Sequence, residues 1–308
     1  MKLFLKDIGL FTIFLTVFYS LSLLVWGRLP MLVQPNLYYQ LGALGHMNTR
    51  LKEIKNFTDI DILFLGSSHA YRGFDPRVFK SAGLSTFNLG SSSQTPIQTR
   101  LLLKRYLIQL APKLIIYETT PGAFPADGVE SALDIIANDK NDIYSLLMTL
   151  KLNHIRIYNN FVYGVMRDLF GLNDSYKEPL NKNSDTYITG GYVEKEMRHY
   201  KVKSHKNRTW SFNDNQLSEF EAIVTMIRDA NIDLILVQAP VTPSLYSSFQ
   251  DNISFDSTMS GYSTYYNFNE ILQLDDSFHF FDSNHLNQNG VDVFNNKLID
   301  VLQESQRL

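Results

Sequence analysis

Asp61-Ile62-Leu63-Phe64-Leu65-Gly66-Ser67-Ser68-His69-Ala70 is the stretch on which the reading of the whole chain turns. An apolar run rich in β-formers stops at a Gly-Ser turn. The next element looks helical, because Asp75 can cap it and Pro76 suits its first turn. A strand that breaks so sharply presents its turn side chains at the carboxyl edge of a sheet, where open α/β folds place their chemistry. A serine there is a nucleophile only if a base reaches it.

Outward from this stretch the pattern repeats. Strands are expected over residues 60–65, 85–89, 114–117, 232–237 and 278–281. Helices are expected over residues 76–82, from Pro96 to the stop at Pro112, after a cap at Asp214, and after Asn289-Gly290. Such alternation predicts an α/β domain over 59–308, a three-layer sandwich with a mostly parallel five-stranded sheet. Residues 121–210 interrupt it. Ile143, Leu146, Leu147, Leu150, Ile157, Phe161, Val165 and Leu169 suggest one or two amphipathic helices there, and a polar loop follows over 171–185. The tract 195–208 is basic, with Arg198, Lys201, Lys203 and Lys206. It reads either as a solvated surface or as a lid or docking surface for an anionic glycan, lipid headgroups or a membrane partner.

The N-terminus carries a different signal. Ile8 to Trp26 is an uncharged apolar run of 19 residues, which as a helix reaches roughly 28 Å, close to a hydrocarbon core. Lys2 and Lys6 precede it, Trp26 suits the interface, and Arg28 follows. The run is long for a cleaved signal peptide and no small-x-small site follows it. Residues 1–28 are therefore read as a single-pass anchor with the bulk of the chain outside, and 29–58 as a stalk containing Pro30 and Pro35.

Of 308 residues, 44% are hydrophobic and 13% aromatic, which argues for a folded chain, and a net charge of −3 gives no reason to expect nucleic acid. The absence of cysteine excludes thiol catalysis and disulfides. His46, His154, His199 and His205 show no ligand spacing, so no metal is expected, and His279 reads as a core-edge residue. No phosphate-binding glycine motif is present, and no cofactor is implied.

The base is sought just before the last helix, in Phe281-Asp282-Ser283-Asn284-His285-Leu286-Asn287. An Asp and a His three apart on a tight turn project to one side. The carboxylate can then fix the imidazole tautomer while the other ring nitrogen faces a hydroxyl. A fifth strand at 278–281 would bring this pair to the edge that holds Ser67 and Ser68. Gly90, ending the second strand, would let a backbone N–H approach a reacting carbonyl.

Gly66-Ser67-Ser68-His69 after a strand, Asn88-Leu89-Gly90, and Asp282-Ser283-Asn284-His285-Leu286-Asn287 with Gly290 and Phe294 resemble blocks one, two and five of the SGNH (GDSL-type) hydrolases. The resemblance covers roughly residues 59–98 and 278–302, with 232–240 as framework. It implies a flavodoxin-like sheet, Ser68 rather than Ser67 as nucleophile, His285 as general base and Asp282 as its orienting acid. The backbone N–H groups of Ser68 and Gly90 would form part of an oxyanion hole. With the anchor, the chain is similar to the membrane-tethered, extracytoplasmic branch, which includes teichoic-acid D-alanyl transfer and alginate O-acetylation proteins.

One departure stands out. The family's third block supplies an Asn donor from the end of strand three, whereas this chain reads Tyr117-Glu118-Thr119-Thr120-Pro121-Gly122. A backbone N–H near Thr120 or the side chain of Gln94 is the expected substitute, and His69 and Gln94 are expected substrate contacts. The resulting expectation is a serine esterase or O-acyltransferase acting on acyl esters of cell-envelope glycans, beside a membrane-bound O-acyltransferase. The rival is a non-catalytic accessory or scaffold protein of such a system.

Overall fold

The computed structural model describes residues 1–30 and 33–307. Its centre is a sheet of five strands: β1 (Ile62–Leu65), β2 (Thr86–Asn88), β3 (Leu114–Glu118), β7 (Asp233–Gln238) and β8 (Thr264–Asn267). Their spatial order is β2-β1-β3-β7-β8 and every pairing is parallel. This is the flavodoxin-like order, whose switch point lies between β1 and β3.

The strands are apolar on both faces because helices cover both. Leu63, Leu65, Ile115, Tyr117 and Leu236 face one core. It is closed by α2 (Met47–Glu53), α5 (Pro96–Leu110), α6 (Val129–Asn138) and α9 (Asp214–Asp229). Ile62, Phe64, Ile116, Ile235 and Val237 face the other, closed by α3 (Ser68–Gly73), α4 (Pro76–Ser81) and α13 (Gln288–Glu304). Successive residues of each strand alternate between the two cores, the period of two that a pleated strand imposes. Asp75 caps α4 as expected, its side chain accepting from the Arg77 N–H, whereas the cap of α9 is Asn213 rather than Asp214.

Three expectations need correction. The fifth strand is β8, not residues 278–281. Phe280 makes only an isolated antiparallel bridge to Leu286, because the Phe281 N–H donates to the His285 carbonyl and the loop satisfies itself. β8 escaped notice because it is a short, half-exposed edge strand of Thr-Tyr-Tyr-Asn without an apolar run.

The segment 29–58 is not a free stalk. Leu37, Met47, Leu51 and Ile54 are buried, and so is Arg50, whose guanidinium donates to the carbonyls of Gly191, Gly90 and Gly45 at 3.0, 2.8 and 2.8 Å.

The interruption at 121–210 holds three helices: α6, α7 (Ile143–Leu152) and α8 (Ile155–Leu169). It also holds a second, antiparallel sheet of β4 (Asn181–Lys182), β5 (Asp185–Ile188) and β6 (Tyr192–Lys195). The Asn88 N–H donates to the Gly190 carbonyl, so the β5–β6 turn covers the open edge of β2.

The N-terminal apolar run is one helix, α1 (Lys2–Trp26), long and apolar enough to cross a membrane. Its last turns rest on the domain. The Tyr19 hydroxyl donates to Asn159 Oδ1 at 2.6 Å, and Leu23 packs with Leu37 and Tyr163.

Candidate active site

β1 is followed by Gly66, whose φ of +138° places it where a side chain is strained. A Cβ there would lie 2.8 Å from the Glu118 carbonyl oxygen and 2.9 Å from its Cβ. The turn can therefore press against the end of β3 only with glycine. Ser67 then caps α3 by accepting from the His69 N–H, and Ser68 is the first helical residue, at the switch point beside β3.

The sequence-predicted trio comes together. His285 Nε2 lies 2.8 Å from Ser68 Oγ, and His285 Nδ1 lies 3.0 Å from both carboxylate oxygens of Asp282. Asp282 Oδ1 also accepts the backbone N–H groups of Asn284 and His285 at 2.8 and 2.9 Å. Burial pushes the Asp282 carboxyl up, but the hydrogen bond and charge of His285 and these two N–H groups outweigh it and hold it at about 2. An ionised Asp282 keeps the proton on Nδ1 and leaves Nε2 to accept from the serine hydroxyl. The loop is tied to the end of β7 by Thr242, whose N–H and hydroxyl both donate to the Ser283 carbonyl at 3.1 Å. That tie does the work expected of a fifth strand at 278–281.

Gly90 departs from expectation. Its N–H donates to Asn88 Oδ1 at 2.9 Å, while Asn88 Nδ2 donates to the Ala70 carbonyl at 2.7 Å. Asn88 thus clamps the Gly90 turn to α3, and the Gly90 N–H is engaged rather than open to a reacting oxygen. A Cβ at Gly90 would lie 2.8 Å from the Ser67 carbonyl, so the residue serves close packing against the serine turn. The Ser68 N–H, in contrast, has no acceptor among the described residues.

His69 and Gln94 both reach the wall of a cavity of about 300 Å³ that opens at Ser68. The His69 ring stacks on that of His285 at 5.1 Å and 24°. Its Nδ1 lies 3.2 Å from Ser67 Oγ, and its Nε2 is buried without a partner. Burial, and then the neighbouring His285, lower its pKa to about 3, so it stacks as a neutral ring. Gln94 Nε2 donates to Thr99 Oγ1 at 2.9 Å, and that hydroxyl is itself given to the Thr95 carbonyl. One of the two amide N–H groups of Gln94 is therefore committed, and its Oε1 is buried without a partner.

The rest of the cavity was not legible in the sequence. Trp210, Leu245, Tyr246 and Phe249 form its apolar side, with Gln238, Thr120, Asn284 and Arg208 also on its wall. Trp210 and Phe249 stack nearly parallel because Arg208 and Phe249 share an isolated bridge, a long-range pairing that no local pattern announces. Glu118, at the end of β3, is buried beside the serine turn, and neither of its oxygens makes a well-formed hydrogen bond. Burial pushes it up to about 8, against the opposing N–H groups of Ala239, Thr120 and Ser67. Among the described residues no group of His, Asp and Glu is placed to hold a metal ion.

No family model and no curated protein matches the sequence. Among solved structures, a Bacteroides fragilis NCTC 9343 protein assigned as an acylhydrolase is similar at 14% identity and a TM-score of 0.45. That match covers 85% of this chain and 97% of the other. A GDSL-like lipase from Bacteroides thetaiotaomicron VPI-5482 is similar at 12% identity and 0.45, covering 85% of this chain and 98% of the other. What the site does rests on its own geometry.

Proposed function

We propose that this chain is a serine-dependent ester hydrolase or O-acyltransferase, anchored by α1 and acting on acylated cell-envelope glycans outside the membrane. The observation that carries the reading is the unbroken relay from Asp282 through His285 to Ser68 at the mouth of a cavity. Ser68 Oγ attacks the acyl carbonyl while His285 Nε2 takes its proton, and Asp282 stabilises the imidazolium. The Ser68 N–H donates to the developing oxyanion. Collapse expels the alcohol, which receives the proton from His285 and leaves an acyl-serine. Water or a sugar hydroxyl then attacks with the same histidine as base, so hydrolase and transferase use one set of residues.

A cavity of about 300 Å³ suits a small acyl group against Leu245 and Val241, with the Trp210–Phe249 stack offering a flat face to a sugar ring. The basic tract supports an anionic glycan. It runs from the triad loop, where the Tyr200 N–H donates to the Phe280 carbonyl, to the cavity wall at Arg208. The seating of α1 on α8 supports a retained anchor. A membrane-bound O-acyltransferase is the proposed partner.

A fluorophosphonate probe should label the wild-type chain and not Ser68→Ala. Equal labelling of both would overturn the assignment. A second reading, a non-catalytic accessory protein, is favoured by the engaged Gly90 N–H and by the missing Asn donor. It predicts that Asp282→Asn and His285→Ala variants fully complement a deletion strain.

A further inference from the structure

The cavity at Ser68 is walled by apolar and neutral polar side chains, with one exception. No carboxylate lines it, and among the described residues of its wall Arg208 is the one with a permanent charge. Burial, and then His285, keep the His69 ring neutral. Elsewhere in the chain Arg72, Arg77, Arg100 and Arg105 each meet a carboxylate, and Arg50 meets three carbonyls. The Arg208 guanidinium makes neither an ion pair nor a hydrogen bond among the described residues; its contact is with an aromatic ring.

Arg208 is nevertheless held in place. Its N–H donates to the Ser248 carbonyl at 3.0 Å, and its carbonyl accepts from the Gln250 N–H at 3.2 Å. The guanidinium carbon lies over Phe249, 5.1 Å from the ring centroid, and Trp210 stacks on the same ring. A guanidinium resting on an aromatic ring keeps its in-plane N–H groups free, and these form a fork that matches a carboxylate or a phosphate. The position also selects the part of the substrate that is met. Leu245 and Val241 suit the acyl group, whereas the Trp210–Phe249 face suits the sugar, and Arg208 rests on that face.

We propose that Arg208 is a specificity-determining residue: the free edge of its guanidinium receives an anionic oxygen group, carboxylate or phosphate, on the sugar whose ester Ser68 cleaves. The proposal rests on the reading of Ser68 as the nucleophile and narrows it. A diffuse basic tract attracts any polyanion from a distance, whereas Arg208 places the charge on the reacting unit itself.

Three acetyl esters test this with the full-length chain at low salt, the aryl ring standing in for the sugar ring. These are 4-acetoxybenzoate, 4-acetoxyphenyl phosphate and the neutral methyl 4-acetoxybenzoate. Arg208→Gln should lower kcat/KM for the anionic esters by about tenfold or more, chiefly through KM, and leave the neutral ester within about twofold. Arg208→Lys, which keeps the charge without the fork, should fall between the two. The side chain is exposed, so both variants should melt as the wild type does. A loss confined to one of the two anions supports the proposal and names the group. Equal losses on the neutral and anionic esters, or no loss on any, overturn it while leaving Ser68 as the nucleophile. If Ser68→Ala cleaves all three as fast as the wild type, the nucleophile assignment falls, and the proposal with it.

Discussion

At Asp282 burial and hydrogen bonding pull in opposite directions, and the hydrogen bonds win. The carboxylate is what fixes the His285 tautomer, so Asp282→Asn should keep the fold and lower kcat by about 10³–10⁴-fold. Single-turnover release of a chromogenic ester checks this. Glu118 behaves in the opposite way. Its carboxyl ionises near 4.5 when exposed and is held protonated to about 8 in the fold. Between those values the unfolded chain has lost a proton that the folded chain keeps, so stability falls as pH rises through that window and levels above it. Asp134, also pushed up to about 8 by burial, adds a slope of the same sign. Glu118→Gln should therefore flatten part of the decline. At pH 8 it should exceed the wild type by on the order of 1–4 kcal/mol in urea unfolding. The buried His69 and His46 rings, whose pKa values are lowered, add a slope of the opposite sign below about pH 6.5, so a wild-type stability that rises from pH 7 to pH 8 would contradict both assignments.

At the scale of elements, Arg50 shows how a segment that reads as a linker becomes structural. Its guanidinium spans α2, the Gly90 turn and the β5–β6 turn through three carbonyls, and it lies over the Tyr71 ring at 4.7 Å. Arg50→Met leaves those buried acceptors without a donor and should cost about 3 kcal/mol or more. Labelling of Ser68 should slow as well, because the Gly90 turn against which the serine packs loses its tether. Thermal melting and probe kinetics read the two effects separately.

Such an anchor is invisible in the sequence, where Met47 to Glu53 is one polar turn among others. Where pattern and period were strong, the reading carried through: four of the five sheet strands, α5, α9 and α13, and the Asp282/His285 pair. It failed where structure depends on distant partners. The edge strand β8 relies on β7 for its pairing, the antiparallel sheet on Asn88, and the cavity wall on the meeting of Arg208 with Phe249. The meeting of Ser68, His285 and Asp282 was legible because each lies on its own sequence-marked turn. The Gly90 N–H was misread because its acceptor, Asn88 Oδ1, follows from side-chain placement rather than from spacing.

For the whole molecule, the proposed orientation places the catalytic edge and α13 outside the membrane. A single cysteine at Gln303, exposed on α13, should react in intact cells with a membrane-impermeant maleimide. Reaction only after lysis would reverse the orientation. The sheet brings together segments far apart in the chain: β3 pairs with β7, and Ser68 meets a base 217 residues away. During synthesis, at about 5–20 residues per second, Ser68 is made roughly 10–40 s before His285, its proposed base. Through that interval the β1–Ser68–α3 turn exists without a histidine to deprotonate it. Even then the His285 loop rests on its own turn and on Thr242 until α13 docks on α3 and α4. On the proposed function, the order in which the chain is written acts as a safety catch: Ser68 would have no base while its strand is still emerging beside other chains.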